Sequence, residues 1–182
     1  MLTTELITRD SQLLPEIKQL FKTAFPFYEQ IPMPFLMWRL RRPNVELLGF
    51  TDDGQLVGAS YTISRRQQTY VLYLAVTEKV RSRGYGSQIL AAIKDRYVNQ
   101  QIMLNIEPVT PDAPNLEQRQ KRRQFYYKNG FRSTHLMLTE MGDDYELLTN
   151  SGSVAEKDYI ALMEQFSGLI ISGLFRTKIR SI

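Results

Sequence analysis

No cysteine occurs in this 182-residue chain, which removes disulfides, thiolate metal sites and a cysteine nucleophile together. The same absence favours a reducing, cytoplasmic setting. Histidine is almost as scarce. His135 is the only one, and it stands in "STHLMLTE" with no flanking ligand pattern, so neither a metal centre nor a Ser/His/Asp triad is expected. Long apolar runs are also missing: "SGLIISGLF" at 167–175 falls well short of the about 20 residues a bilayer-spanning helix needs. The first twenty residues, "MLTTELITRDSQLLPEIKQL", break each apolar run with charge and lack the core of a signal peptide. No membrane partner is therefore expected.

What remains is the composition of a globular chain, 43% hydrophobic and 23% charged, of a length that suits one domain with a proper core. The net charge is only +4, but the basic residues cluster. Lys79, Arg81 and Arg83 form one group; Arg119, Lys121, Arg122, Arg123, Lys128 and Arg132 form another. Such patches suit a phosphate-bearing small molecule, a nucleic acid or an acidic protein face, and charge alone does not choose among them. "EQRQKRRQ" lacks the interleaved aromatics of a base-stacking surface, which makes nucleic acid the weakest of the three.

The patterning predicts a strand at 3–8, then a helix capped by Asp10 or Ser11 with Leu13, Leu14, Ile17, Leu20 and Phe21 on one face. Pro26, Pro32 and Pro34 break the next stretch into a loop before a short helix at 35–42 that Pro43 ends. The aromatic side chains there, Tyr28, Phe35 and Trp38 foremost, together with Met33, suit an adaptable binding wall, most of them serving as packing. "VELLGFT" and "QLVGASYTISR" flank Asp53–Gly54 as a hairpin, and "TYVLYLAV" reads as a central strand buried on both faces. A helix at 87–97, a strand at 102–106, a helix from Asn115 to a stop at Asn129–Gly130, a hairpin turning through 141–143 and a last helix at 154–166 complete the order. The fold class is α/β: a mixed, mostly antiparallel sheet with helices on both faces and an extra C-terminal helix.

The stretch "KVRSRGYGSQIL", 79–90, runs from the central strand through two glycines into a helix. A helix N-terminus offers N–H groups without internal acceptors and partial positive charge, and glycines let an anion approach closely. Read alone, Gly84 and Gly86 build a tight turn equally well. Neither the lysine of a Walker loop nor the third glycine of the dinucleotide fingerprint is present.

Here the chain resembles the GNAT superfamily of acetyl-CoA-dependent N-acetyltransferases. That family's cofactor loop has the pattern Arg/Gln-x-x-Gly-x-Gly/Ala, matched by Arg81, Gly84 and Gly86. The family also ends its next helix with aromatic-Tyr-x-x-x-Gly-Phe, matched by "FYYKNGF" at 125–131. The resemblance implies acetyl-CoA as co-substrate, with backbone at Leu74, Ala75 and Val76 meeting the acyl and pantetheine portion. It implies a pyrophosphate wrapped by Arg81, Ser82, Arg83, Gly84, Tyr85, Gly86 and Ser87, and an oxyanion donor near Val76. Tyr126 takes the place of the acid that protonates the departing thiolate, with Tyr127 as the alternative if the register slips. An ordinary phenol, with a pKa near ~10, is protonated at neutral pH and suits that role.

Two positions depart from the family pattern. Arg119 stands where a pantetheine-contacting Asn is common, with Asn115 nearby, and Glu78 stands where many members have proline. Glu107, directly after "IMLNI", reads equally as the base for the incoming amine, as a contact for a cationic substrate, or as a solvated strand end. The implied partner is an amine, small or peptidic, whose identity the sequence leaves open. A non-catalytic acyl-CoA sensor on the same fold is the alternative. Residues 1–150 are expected to form the acetyltransferase domain and 151–182 a helical extension packed on it. The apolar "LIISGLF" suits covering either the chain's own core or a second copy in a homodimer.

Overall fold

A computed structural model of the chain describes residues 1–140, 142–168 and 177–182. Met141 of the expected hairpin turn and the apolar "LIISGLF" lie outside the described residues. The strands hydrogen-bond in the order β1-β2-β3-β4-β5-β7-β6-β8, a mixed sheet in which β4 and β5 run parallel. The chain divides into two compact units, one of residues 1–64 and 71–99, the other of 65–70 and 100–182.

The first unit begins with β1 (Thr3–Leu6), α1 (Leu14–Ala24) and α2 (Met33–Arg39), followed by β2 (Val45–Asp52) and β3 (Gln55–Arg65). The β2–β3 hairpin closes at Asp52 opposite Gln55. Asp53 and Gly54 both take positive φ, 49° and 75°, the paired left-handed geometry that Asp-Gly turns supply. α1 buries the expected Leu14, Ile17, Leu20 and Phe21. Neither Asp10 nor Ser11 caps it; Pro15 sits in the first turn, where its missing N–H costs nothing, and the Ser11 hydroxyl accepts from the Thr8 N–H instead, at 2.9 Å. Pro34 likewise opens α2 two residues before the expected start.

Two tyrosines hold the proline-rich segment in place. The Tyr61 hydroxyl donates to the Leu36 carbonyl at 2.9 Å. The Tyr73 hydroxyl donates to the Glu29 carbonyl and accepts from the Ile31 N–H, each at 2.8 Å. Burial pushes the Tyr73 phenol up to about 12, so both serve as fixed neutral anchors. Phe27, Tyr28 and Trp38 nevertheless stay exposed, while Met33 and Phe35 are half-buried. The part of β4 (Gln68–Val76) from Val71 onward and α3 (Tyr85–Arg96) complete the unit, and α3 buries Ile89, Leu90 and Ile93. It starts two residues before the expected Ser87.

In the second unit, β5 (Gln101–Ile106) pairs in parallel with the start of β4, Gln68–Tyr70 against Gln101–Met103. β4 continues from there to Val76. α4 (Leu116–Lys128) follows, ending before Gly130 at φ 83°. β6 (Arg132–Glu140) and β7 (Asp143–Thr149) form the expected hairpin. α5 (Glu156–Ser167) buries Tyr159, Leu162, Met163 and Phe166, and Tyr159 meets Tyr70 edge-on at 5.5 Å.

The C-terminal extension is not helical throughout. Its last residues form β8 (Lys178–Ser181), antiparallel to β6. His135 sits exposed at an irregularity of β6 with φ 59°, and no cluster of potential metal ligands occurs among the described residues.

Candidate functional site

Within the first unit, β4 delivers Leu74, Ala75 and Val76 with Ala75 buried and its neighbours half-buried. Gly58 of β3 lies so close beneath that a Cβ there would stand 2.6 Å from the Ala75 carbonyl oxygen and 2.6 Å from Ile89 Cδ1. The chain then makes one 3-10 turn, Glu78–Val80, and enters α3 through two left-handed residues, Ser82 at φ 63° and Gly84 at φ 85°. Left-handed residues in a tight turn build the backbone nests that hold anions.

Gly84 stands at the N-cap without a side-chain cap, and its carbonyl accepts from the Ser87 and Gln88 N–H groups. Among the described residues the N–H groups of Ser82, Gly84, Tyr85 and Gly86 donate to no protein acceptor. Arg81 and Arg83 are exposed and form no ion pair there. The turn therefore concentrates free donors and positive charge where a phosphate oxygen would be bound.

One contact ties this turn to the β2–β3 hairpin. The Tyr85 hydroxyl donates to Asp52 Oδ2 at 2.6 Å, and that bond pushes the phenol above its ordinary value. If the turn holds acetyl-CoA, as the resemblance implies, Tyr85→Phe should free the start of α3 and raise the KM for acetyl-CoA about 3- to 10-fold, with kcat within twofold. A parallel fall in kcat would mean that Tyr85 touches the reacting atoms.

Within the second unit, Glu107 follows β5 and gathers α4 and the loop before it. Its Oε2 accepts from Arg122 Nη1 at 2.6 Å, and its Oε1 lies 3.1 Å from Arg119 Nη2 and 3.3 Å from Asn115 Nδ2. Arg119 also donates to Asn115 Oδ1 at 2.6 Å and to the Pro108 carbonyl at 2.9 Å. Its donors thus serve an internal network. The sequence reading did not foresee this network, although Arg119 and Arg122, three apart on one helical face, were its visible signal.

Tyr126 lies one turn after Arg122. Its ring is half-buried, edge-on to Phe125 at 5.1 Å and to Phe131 at 5.9 Å. Burial pushes its phenol up to about 12, against the opposing pull of the Arg122 charge. Its hydroxyl makes no hydrogen bond among the described residues, whereas neighbouring Tyr127 is covered by the Arg132 guanidinium, 5.5 Å above its ring.

The sequence profile of the acetyltransferase (GNAT) domain matches residues 43–133, half of the chain. Solved structures of the same fold include a GNAT-family protein from Bacteroides thetaiotaomicron, 23% identical over 92% of this chain and 97% of that one, with a TM-score of 0.73. The ribosomal-protein-S18-alanine N-acetyltransferase from Escherichia coli is 15% identical over 87% of this chain and 98% of its own, with a TM-score of 0.62. A GNAT family acetyltransferase from Elizabethkingia anophelis with acetyl-CoA bound is 17% identical over 81% and 96%, with a TM-score of 0.57. No curated protein matches. With half of its length matched by that profile, across both the glycine turn and the "FYYKNGF" helix end, the chain belongs to the GNAT family of acetyltransferases.

Proposed function

We propose that this acyltransferase moves an acetyl group from acetyl-CoA to a primary amine by direct attack. The observation that carries the reading is the turn into α3, where, among the described residues, four N–H groups lack acceptors and two arginines lack carboxylate partners. That chemistry fits a pyrophosphate, and Arg81 to Ser87 would hold it. Leu74, Ala75 and Val76 would meet the pantetheine and acyl portion. The solved relative with acetyl-CoA bound supports the same co-substrate here.

In the reaction the amine nitrogen bonds to the thioester carbonyl carbon and the carbon–sulfur bond breaks. A backbone N–H near Val76 would stabilise the oxygen as it gathers negative charge. The Tyr126 hydroxyl gives its proton to the leaving sulfur, and the amine proton passes to water or to Glu107. Both carboxylate oxygens of Glu107 are already engaged, by Arg122 on one side and by Arg119 and Asn115 on the other. A water on a remaining lone pair of its carboxylate is the route left to it, or else the carboxylate attracts a cationic acceptor. Arg119, with its donors committed to Asn115, Pro108 and Glu107, serves the co-substrate chiefly by fixing α4. The setting we propose is cytoplasmic, resting on the absence of cysteine; no helix among the described residues is long and apolar enough to cross a membrane.

Two measurements test this. Calorimetry should show acetyl-CoA binding that weakens at least about tenfold in the Arg81→Ala/Arg83→Ala double variant, since each lost charge-assisted contact is worth about 1.5–3 kcal/mol. A panel of polyamines, aminoglycosides, amino acids and peptide N-termini should then release free CoA with at least one acceptor. Binding without transfer to any of them would favour the acyl-CoA sensor, and no binding would overturn both readings.

A further inference from the structure

A pocket of about 300 Å³ opens in the first unit between the end of β1, the end of α2 and the start of β2. Its floor is apolar, with Ile7, Met37, Val45 and Leu47 each less than 9% exposed. Its mouth carries Arg9, Arg41 and Arg42, all exposed and none in an ion pair among the described residues.

The one carboxylate on the lining, Glu46, is already neutralised. Arg96 grips it with two bonds, of 2.6 and 2.7 Å, and Tyr97 adds a third at 2.5 Å; these partners, Arg96 foremost, hold its carboxyl below the usual range. The three cations, in contrast, have no carboxylate partner among the described residues. Burial, and after it the Arg42 charge, hold the neighbouring Arg39 guanidinium below its ordinary value. Exposed guanidinium groups without a carboxylate partner remain available to an anion.

We propose that this pocket binds a small organic oxyanion carrying a short apolar tail. The guanidinium forks would take the carboxylate or phosphate head in bidentate fashion, and the tail would cover Ile7, Met37, Val45 and Leu47. The volume stands at the lower end of the about 300–1,000 Å³ typical of ligand pockets, so the ligand is smaller than a drug-sized molecule. Charge selects the head and the floor selects the tail. Each selection is separately measurable, and neither depends on acetyl transfer.

The test is NMR titration of the full chain, saturated with CoA, using hexyl phosphate, hexanoate, inorganic phosphate and a hexaglutamate peptide. Either tailed anion should shift the amides of residues 6–9 and 40–47; the stronger of the two identifies the head as phosphate or carboxylate. It should bind at least about tenfold tighter than inorganic phosphate, because burial of two methylenes suffices for that ratio. The exposed-site variant Arg41→Ala/Arg42→Ala should weaken it about tenfold while leaving the acetyl-CoA affinity unchanged, and Arg9→Ala should act in the same direction. Shifts confined to 81–87, equal binding of inorganic and hexyl phosphate, or indifference to all three arginines would each overturn the proposal. Tighter binding of hexaglutamate would replace it with an acidic protein partner.

Discussion

Tyr126→Phe should lower kcat for acetyl transfer about 10²- to 10³-fold and leave the dissociation constant of acetyl-CoA within about twofold. A loss of that size is ordinary for a positioned general acid and corresponds to about 2.7–4.1 kcal/mol of barrier. The ring contacts to Phe125 and Phe131 survive the substitution, since only the hydroxyl is removed. That hydroxyl makes no hydrogen bond among the described residues, so removing it leaves no orphaned protein partner and should change the melting temperature little. Stability and catalysis are thereby separated in one variant.

The pH profile adds a second readout. Burial pushes the phenol up to about 12, so the proposed acid stays protonated through the whole working range. No alkaline fall in kcat should come from Tyr126 below about pH 11. A descending limb centred near pH 9 that vanishes in Tyr126→Phe would contradict this environment, and unchanged turnover in Tyr126→Phe would remove the residue from the mechanism. Tyr127→Phe is the matched control: with Arg132 over its ring, it should keep kcat within about threefold.

The parts of the fold readable in the sequence are those whose cause is local. Asp53–Gly54 announces its hairpin because few other pairs adopt two left-handed residues cheaply, and the apolar spacing of α5 survives because one face must be buried whatever it packs on. β8 escaped notice for the opposite reason. Lys178–Ser181 shows no alternation of its own and becomes a strand only by pairing with β6. α1 misled at its start because two good capping residues precede Pro15, and proline decided the boundary.

The site divides in the same way. Arg81, Gly84, Gly86 and "FYYKNGF" are contiguous patterns, and they led to the family. The network on Glu107 joins Asn115, Arg119 and Arg122 across a proline-rich loop, so the helical spacing of its two arginines does not by itself disclose the carboxylate they share. Arg119, marked as a co-substrate contact by its position before Tyr126, has its donors engaged within that network. The pocket edged by Arg9, Arg41 and Arg42 was illegible because its cations come from separate stretches that only folding brings together.

Gly58→Ala should be the most damaging single-methyl change in the first unit. Gly58 is buried in β3 opposite Phe50. The added Cβ would stand 2.6 Å from the Ala75 carbonyl oxygen, 2.6 Å from Ile89 Cδ1 and 3.5 Å from Val76 Cα. Ile89 is fully buried, and the carbonyl belongs to the backbone of β4. The methyl must therefore move either the strand or the helix. Overpacking of this kind costs about 1–3 kcal/mol, a fall in melting temperature of about 3–10 °C for a chain of this length. The displaced groups are Ala75, Val76 and the α3 residue Ile89, so acetyl-CoA affinity should fall at least about fivefold alongside stability. Gly54→Ala is the informative comparison. Its Cβ meets nothing within 4 Å, but φ there is +75°, so it should cost about 1 kcal/mol of backbone strain and leave acetyl-CoA affinity unchanged. If Gly58→Ala melted like the parent protein, β3 and β4 would have room to spare beneath Ala75. If it lost stability yet kept full affinity, Leu74 to Val76 would have no part in holding the co-substrate.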